Sequence, residues 1–240
     1  MKADSKRWTQ VEASRFPHEK EALDYVRDAL PDHEPYRAWS NLEFVAKDGS
    51  INEVDALVLT RKGLFVVEIK GRGGRLSGDA GTWAWKVDRR EIVIDNPLYL
   101  ANTKAKRLKE LLRSQRALEK HPVPYVHALV FCSAKDLSVK LSPEGRTLIY
   151  GRDELTDLPG IRAFLTETRP EEMADSKFRP VDASLARALT RAVEEAGIRP
   201  SQRFRRVGSY KLGDLLLEGR HFQDFLGTHD TLPNEYRRVR

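Results

Sequence analysis

Apolar residues recur along the chain with two different periods, and the switches between them mark out its elements. Over Pro17–Leu30, Ala22, Leu23, Val26 and Leu30 fall at helical spacing and Pro31 stops the run, which predicts a first helix. Tyr36–Ala46 reads as a strand, Asp48-Gly49 as a tight turn and Ile51–Leu59 as a second strand. Gly63 marks another turn, and Leu64–Lys70 is a third, almost wholly apolar strand. A glycine-rich loop, Gly71–Gly81, leads to a hairpin of Trp83–Val87 and Glu91–Ile94 around Arg89-Arg90.

The helical period returns in Pro97–Lys120, where Ala101, Ala105, Leu108 and Leu112 form an apolar stripe. Tyr125–Ser133 reads as a buried strand, Thr147–Tyr150 as a short one and Asp153–Leu165 as a small helix. This order of helices and strands implies an α/β fold with a central mixed sheet flanked by helices. The polar stretch 167–180, with Pro170 and Pro180, reads as a linker that closes a domain spanning 1–166. Residues 181–240 form the remainder. Asp182 is placed as the N-cap of a helix carrying Leu185, Leu189, Ala192, Val193 and Ala196, ended by Gly197 and Pro200, and a small β appendage follows.

Composition narrows the function. A single cysteine, Cys132, excludes disulfide frameworks and cysteine-based zinc sites, and its apolar strand makes it a core residue. No apolar run approaches the roughly 20 residues a membrane helix needs, so the expectation is a cytoplasmic protein with no membrane partner. The net charge of +6 divides unevenly: −4 over residues 1–60, +8 over 61–120 and +2 over 121–240. Much of the excess lies on the 97–120 helix, where Lys106, Lys109, Arg113, Arg116 and Lys120 follow steps of three and four. That spacing predicts a basic ridge beside the apolar stripe, suited to a nucleic-acid backbone.

The chemistry concentrates in Asn52–Lys70. An acid two places before a base arises about six times by chance in this composition, so the spacing of Glu68 and Lys70 carries nothing by itself. Their place at the end of a buried strand does, because unpaired charge there costs several kcal/mol. If Thr60–Gly63 is a four-residue loop with Gly63 left-handed, Leu59 pairs with Leu64 and, counting outward, Asp55 meets Glu68. Two carboxylates facing across a ladder repel unless a cation lies between them or one is protonated. A hard divalent metal suits such oxygen ligands. A three-residue loop would shift the register by one and send Asp55 to the other face.

The Asn52-Glu-Val-Asp55 strand, the hairpin and Lys62-Gly-Leu-Phe-Val-Val-Glu-Ile-Lys-Gly71 resemble the core of the PD-(D/E)XK nuclease superfamily, specifically its nuclease-related (NERD) domain. Asn96-Pro97 before the helix and Ala128-Leu-Val-Phe131 after it extend the resemblance over about Val11 to Leu165. It implies that Asp55, Glu68 and the Ile69 carbonyl hold Mg²⁺ or Mn²⁺. Lys70 would hold the attacking water or stabilise charge on the phosphate, and Glu19 of the first helix would stand near the metal. Two positions depart: Ala56 stands where many NERD domains have His, and Leu100 where they often have Gln, a role Asn102 or Lys104 could fill.

The whole chain, including Gly78-Asp-Ala-Gly-Thr-Trp83 and Tyr210-Lys-Leu-Gly-Asp-Leu-Leu-Leu-Glu-Gly219, also resembles the leading part of bacterial defence proteins that join a NERD domain to a serine/threonine kinase in phage-growth-limitation (BREX type 2) systems. Tyr210–Gly219 would begin a kinase small lobe, but only Gly219 of its glycine-rich loop is present, and no Val-Ala-Ile-Lys or His-Arg-Asp motif follows. Kinase activity is not expected of this chain. The resemblance implies a metal-dependent nuclease acting on DNA, with other defence-system proteins as partners. The alternative is a catalytically weak or inactive NERD domain that serves as a DNA-binding or partner-docking module for an attached serine/threonine kinase.

Overall fold

The computed structural model describes residues 1–14, 16–88, 90–167, 180–200, 206–218, 223–232 and 235–240. They divide into two compact units, Met1–Arg199 and Pro200–Arg240. The first contains β1 (Trp8–Gln10), α1 (Pro17–Ala29), β2 (Arg37–Val45), β3 (Ile51–Thr60), β4 (Gly63–Lys70), β5 (Gly74–Gly78), β6 (Thr82–Val87) and β7 (Arg90–Asp95). It continues through α2 (Leu98–Arg113), β8 (Val126–Cys132), β9 (Leu137–Leu141), β10 (Ile149–Tyr150), α3 (Ile161–Thr166) and α4 (Ala183–Glu195), and the division of the chain falls within the two-residue β11 (Arg199–Pro200).

The main sheet runs β1-β2-β3-β4-β8-β10. β2, β3 and β4 are antiparallel to one another, while β1 joins β2, β8 joins β4 and β10 joins β8 in parallel. It is the mixed, helix-flanked α/β sheet that the patterning predicts. Leu57, Leu59, Leu64 and Val66 pack on one face with Leu108 and Leu112 of α2 and Leu185, Leu189 and Val193 of α4. Val58, Phe65 and Val67 pack on the other with Ala22, Leu23 and Val26 of α1 and Ile161 and Leu165 of α3. The central hairpin is thus buried on both faces. Each of these fully buried side chains contributes about 1.5–3 kcal/mol, which together is enough to carry a few charged groups at the hairpin's end.

Several elements differ from the sequence reading. The glycine-rich loop contains β5, which pairs in parallel with β9, and a second sheet forms in the order β7-β6-β5-β9. β5, Gly-Arg-Leu-Ser-Gly, has too few apolar positions to show a period, whereas Leu137-Ser-Val-Lys-Leu141 of β9 does alternate, a signal the sequence reading misses. The helix expected from Asp153 begins instead at Ile161. Asp153 accepts hydrogen bonds from the Arg162 and Ala163 amides, both 3.0 Å, and so caps α3 rather than starting it. The 167–180 linker lies largely outside the described residues. The helix expected after it, α4, packs into the first unit's core, so the division falls at 199/200 instead of beside the linker. Asp182 caps α4 as expected, accepting from the Leu185 amide at 2.7 Å.

The second unit is an antiparallel sheet of β12 (Arg206–Val207), β13 (Tyr210–Glu218), β14 (Gln223–His229) and β15 (Tyr236–Val239) in that order. Gly219, the expected remnant of a glycine-rich loop, lies outside the described residues. No helix among the described residues is long and apolar enough to cross a membrane.

Candidate functional site

The site forms where two paired strands part. β3 and β4 pair from Thr60–Gly63 to Ala56–Val67. This is the expected register, closed by one pair more than the four-residue loop required. Gly63, at φ +144°, provides the backbone conformation that this turn needs. Beyond Val67 the ladder ends. β3 stays with β2, and β4 continues on β8, with Glu68 opposite Val130 and Lys70 opposite Cys132.

Asp55 therefore does not face Glu68 across a ladder. Its carboxylate reaches into the gap, where Oδ2 accepts the Ile69 N–H at 2.7 Å in place of a backbone carbonyl. On β2, Asn41 stands between the Ser40–Ala56 and Leu42–Val54 pairs with φ +52°. The left-handed residue twists β2 opposite Asp55 and is anchored by its side chain, which donates to Glu12 O at 3.1 Å and Ser14 Oγ at 2.9 Å.

Glu68 is buried, and two lysines share its carboxylate. Lys70 Nζ lies 3.0 Å from Oε1, and Lys104 Nζ, from α2, lies 2.8 Å from Oε2. Burial alone would raise the Glu68 carboxyl, but the charges of Lys104 and Lys70 hold it down at about 2. Asp55 goes the other way. Burial, then repulsion from Glu68, pushes it up to about 6 despite Lys104, Lys70 and the Ile69 amide. The neighbouring Glu68 charge, outweighing burial, raises the Lys70 ammonium above its ordinary value, so Lys70 is held as a cation. Beside it, burial pushes the Cys132 thiol up to about 12, which fits a core residue.

The donor set suits a hard divalent cation. In a strand a residue's N–H and C=O point to the same side, so the Ile69 carbonyl faces the gap that its amide shares with Asp55. Burial and, after it, repulsion from Glu68 keep the Asp55 proton on to about 6. A divalent ion would remove that repulsion. To reach Glu68 it would have to draw the carboxylate from Lys104, which now neutralises it.

Glu19 does not join them. Among the described residues no three His, Cys, Asp or Glu side chains are placed to hold a metal ion. α1 packs by Ala22, Leu23 and Val26 on the face opposite α2, whereas Glu68 meets Lys104 on the α2 face, and the first turn of α1 meets the end of β4 through His18, against Gly71. Glu21, the other acid of that turn, is engaged by Arg152 and Lys135.

Of the two residues considered for the missing helical Gln, the structure brings Lys104 to the site. The sequence carried a signal for it: Lys104 falls within the stripe of Ala101, Ala105 and Leu108, where a buried lysine demands a partner. The first turn of α2 is fixed by Asn96, whose Oδ1 accepts the Leu98 amide at 2.9 Å while its Nδ2 donates to Ala80 O at 3.0 Å.

The basic ridge is shorter than its spacing implies. α2 ends at Arg113, and Gln115 is extended. Ser114 Oγ and Gln115 Nε2 both donate to the Leu111 carbonyl, at 2.7 and 2.8 Å, satisfying the helix end that further turns would have covered. Lys106, Lys109 and Arg113 keep a common line. Arg116 sits on a separate 3₁₀ turn, and Lys120 lies beyond it. Lys106, Arg113, Arg116 and Lys120 are exposed, and Lys109 Nζ lies 5.4 Å from the Tyr125 ring centroid.

Residues 14–133 match the family described as the nuclease-related domain, NERD. The chain is 35% identical over 236 residues to a Streptomyces coelicolor protein named "Probable kinase PglW", an alignment covering 98% of this chain and 14% of that protein. The chain thus spans about 14% of the length of the curated relative it matches. No solved structure matches it significantly.

Proposed function

The chain belongs to the nuclease-related domain family, and from that premise we propose that Met1–Arg199 is a divalent-metal-dependent nuclease acting on DNA phosphodiester bonds. The observation that carries this reading is the set of Asp55, Glu68, Lys70 and the Ile69 carbonyl at the point where β3 and β4 part. Asp55, Glu68 and the Ile69 carbonyl would hold Mg²⁺ or Mn²⁺. When bound, such an ion polarises a phosphate oxygen and acidifies water.

The roles of the other groups follow from their charge. Lys70 is kept protonated by Glu68, which favours charge stabilisation on the phosphate and orientation of a water over proton abstraction. Lys104 holds the Glu68 carboxylate in place and compensates it when no metal is bound. Lys106, Lys109 and Arg113 would lie along the phosphate backbone, with Arg116 and Lys120 as looser contacts. Glu19 has no role in this scheme.

A second reading is favoured by one observation: Lys70 and Lys104 already neutralise Glu68, and no third carboxylate stands by among the described residues. In that reading the domain binds DNA or a partner protein without cutting. Nicking of supercoiled plasmid with Mg²⁺ or Mn²⁺, compared with Asp55→Ala and Lys70→Ala, separates the two.

We infer further that the domain serves a longer defence protein bearing a kinase, with proteins of that system as partners. The relative's name supports the kinase, and the antiparallel sheet of β12–β15 suits the start of a kinase small lobe, while the defence role rests on the resemblance of the sequence alone.

A further inference from the structure

The first unit carries a second basic site, apart from Asp55 and Glu68. A cavity of about 240 Å³ is lined by Arg7, Glu34, Arg37, Arg187, Arg191 and Glu194, four cations against two anions. Arg37 opens β2 and pairs with Leu59. That is four residues along β3 from Asp55, or roughly 13 Å at about 3.3 Å per residue.

Three features mark this cavity as built for an anion. First, the Arg37 guanidinium lies 5.6 Å from the centroid of the Trp39 ring, within cation–π reach. Its Nε is buried and has no hydrogen-bond partner among the described residues, a donor that lacks an acceptor. Second, Arg187 and Arg191 stand one turn apart on α4, a like-charge pair that is unfavourable unless an anion lies between. Third, the carboxylates do not balance the cations. Glu34 Oε2 is 3.5 Å from Arg187 Nη1 on the rim and Asp32, outside the lining, lies within electrostatic reach of Arg7, leaving Arg37 and Arg191 with Glu194 as the other acid of the lining.

We propose that this cavity binds a phosphomonoester. Its lining carries a net charge of +2, which matches the charge of about −2 on such a group, and planar guanidinium forks suit phosphate oxygens. The volume is below the roughly 300 Å³ at which pockets for drug-sized ligands begin, so it takes a phosphate on a small group such as a pentose. Two sources share this chemistry: a free nucleotide and the phosphorylated end of a nucleic-acid strand. The proposal does not rest on the nuclease reading, since none of these residues belongs to that site.

Calorimetric titration in low salt tests it. The probes are a nucleoside 5′-monophosphate, the same nucleoside without phosphate, and a short single strand with and without a 5′-phosphate. The monophosphate should bind and the bare nucleoside should not, and Arg37→Gln and Arg191→Gln should each weaken binding tenfold or more. Arg191 is exposed on α4, so its variant remains informative if Arg37→Gln does not fold. Tighter binding of the phosphorylated strand than of the monophosphate assigns the strand end as the ligand, and equal binding assigns the nucleotide. Equal binding of monophosphate and bare nucleoside, or wild-type affinity in Arg191→Gln, would overturn the proposal.

Discussion

Lys104 Nζ lies 2.8 Å from Glu68 Oε2, joining the second helix to the end of the central hairpin across the buried face of the sheet. Both side chains are about 90% buried, at 10% and 11% exposure, so this contact is worth far more than a surface ion pair. It also sets the terms on which a metal could enter, because the same carboxylate would serve both.

Lys104→Met should therefore act in two directions. With Lys70 still bound to Glu68, the metal-free protein should lose about 2 kcal/mol, the size of one hydrogen bond to a charged group. Affinity for Mn²⁺ should rise several-fold, since a competing cation has been removed. Thermal melts in EDTA and calorimetric Mn²⁺ titration measure the two effects. A fall in Mn²⁺ affinity would mean that Lys104 supports the metal instead of competing with it.

Asp55 makes the metal-free protein pH-sensitive. Its carboxyl is raised from 3.8 to about 6 in the folded chain, so its contribution to stability is full below pH 3.8 and is lost as pH rises through about 6. Glu68 has the opposite sign: it is lowered from 4.5 to about 2, and its contribution is lost as pH falls through that range. Asp55→Asn keeps an acceptor for the Ile69 amide and removes the charge. It should raise stability in EDTA at pH 8, by up to about 3 kcal/mol. Wild-type Mn²⁺ affinity should climb with pH up to about 6 and level off above it, because the ion competes with the Asp55 proton. A flat profile from pH 5 to pH 8 would contradict this.

The reach of the sequence ended where the strands part. The register of the hairpin follows from Gly63 and the apolar run beside it, and Leu59 does pair with Leu64. That Asp55 would leave the ladder and take the Ile69 amide was not legible, because it depends on β2 and β8 pulling the two strands to opposite sides. Glu19 is a similar case. Helical periodicity gives the face on which it lies, but not the side of the sheet on which that helix packs. Lys104 was legible in part, as a charge inside an apolar stripe. The ridge was overextended because spacing ran on past Ser114 and Gln115, whose side chains end the helix.

DNA binding should carry the signature of the shortened ridge. Three phosphate contacts from Lys106, Lys109 and Arg113 give a log–log salt slope of about −2.7 on duplex DNA, and five would give about −4.5. Charge reversal at Lys109 and Arg113 should bring the slope toward −1. Fluorescence anisotropy from 50 to 300 mM salt measures it, and an unaltered slope in the variant would retire the ridge as the DNA-binding surface.

Gly63 tests the turn that sets the register. At φ +144°, Gly63→Val places a β-branched side chain in a conformation it rarely adopts, at a cost of about 1–3 kcal/mol. A Cβ there would sit 3.6 Å from the His127 ring, ordinary contact, so Gly63→Ala measures the backbone cost alone and the further loss in Gly63→Val measures crowding by its γ-carbons. Chemical denaturation of both variants checks it, and stability equal to wild type in both would show that the turn tolerates any residue.

The nuclease reading rises or falls on cleavage itself. The most direct measurement is the initial rate at which supercoiled plasmid is nicked in Mn²⁺ and in EDTA by the wild type, Asp55→Ala and Lys70→Ala, with DNA binding recorded on the same samples. Wild-type nicking that requires Mn²⁺ and falls at least a hundredfold in both variants, with binding retained, is the expected result. Nicking equal to background in all three proteins, or undiminished by either substitution, would contradict it.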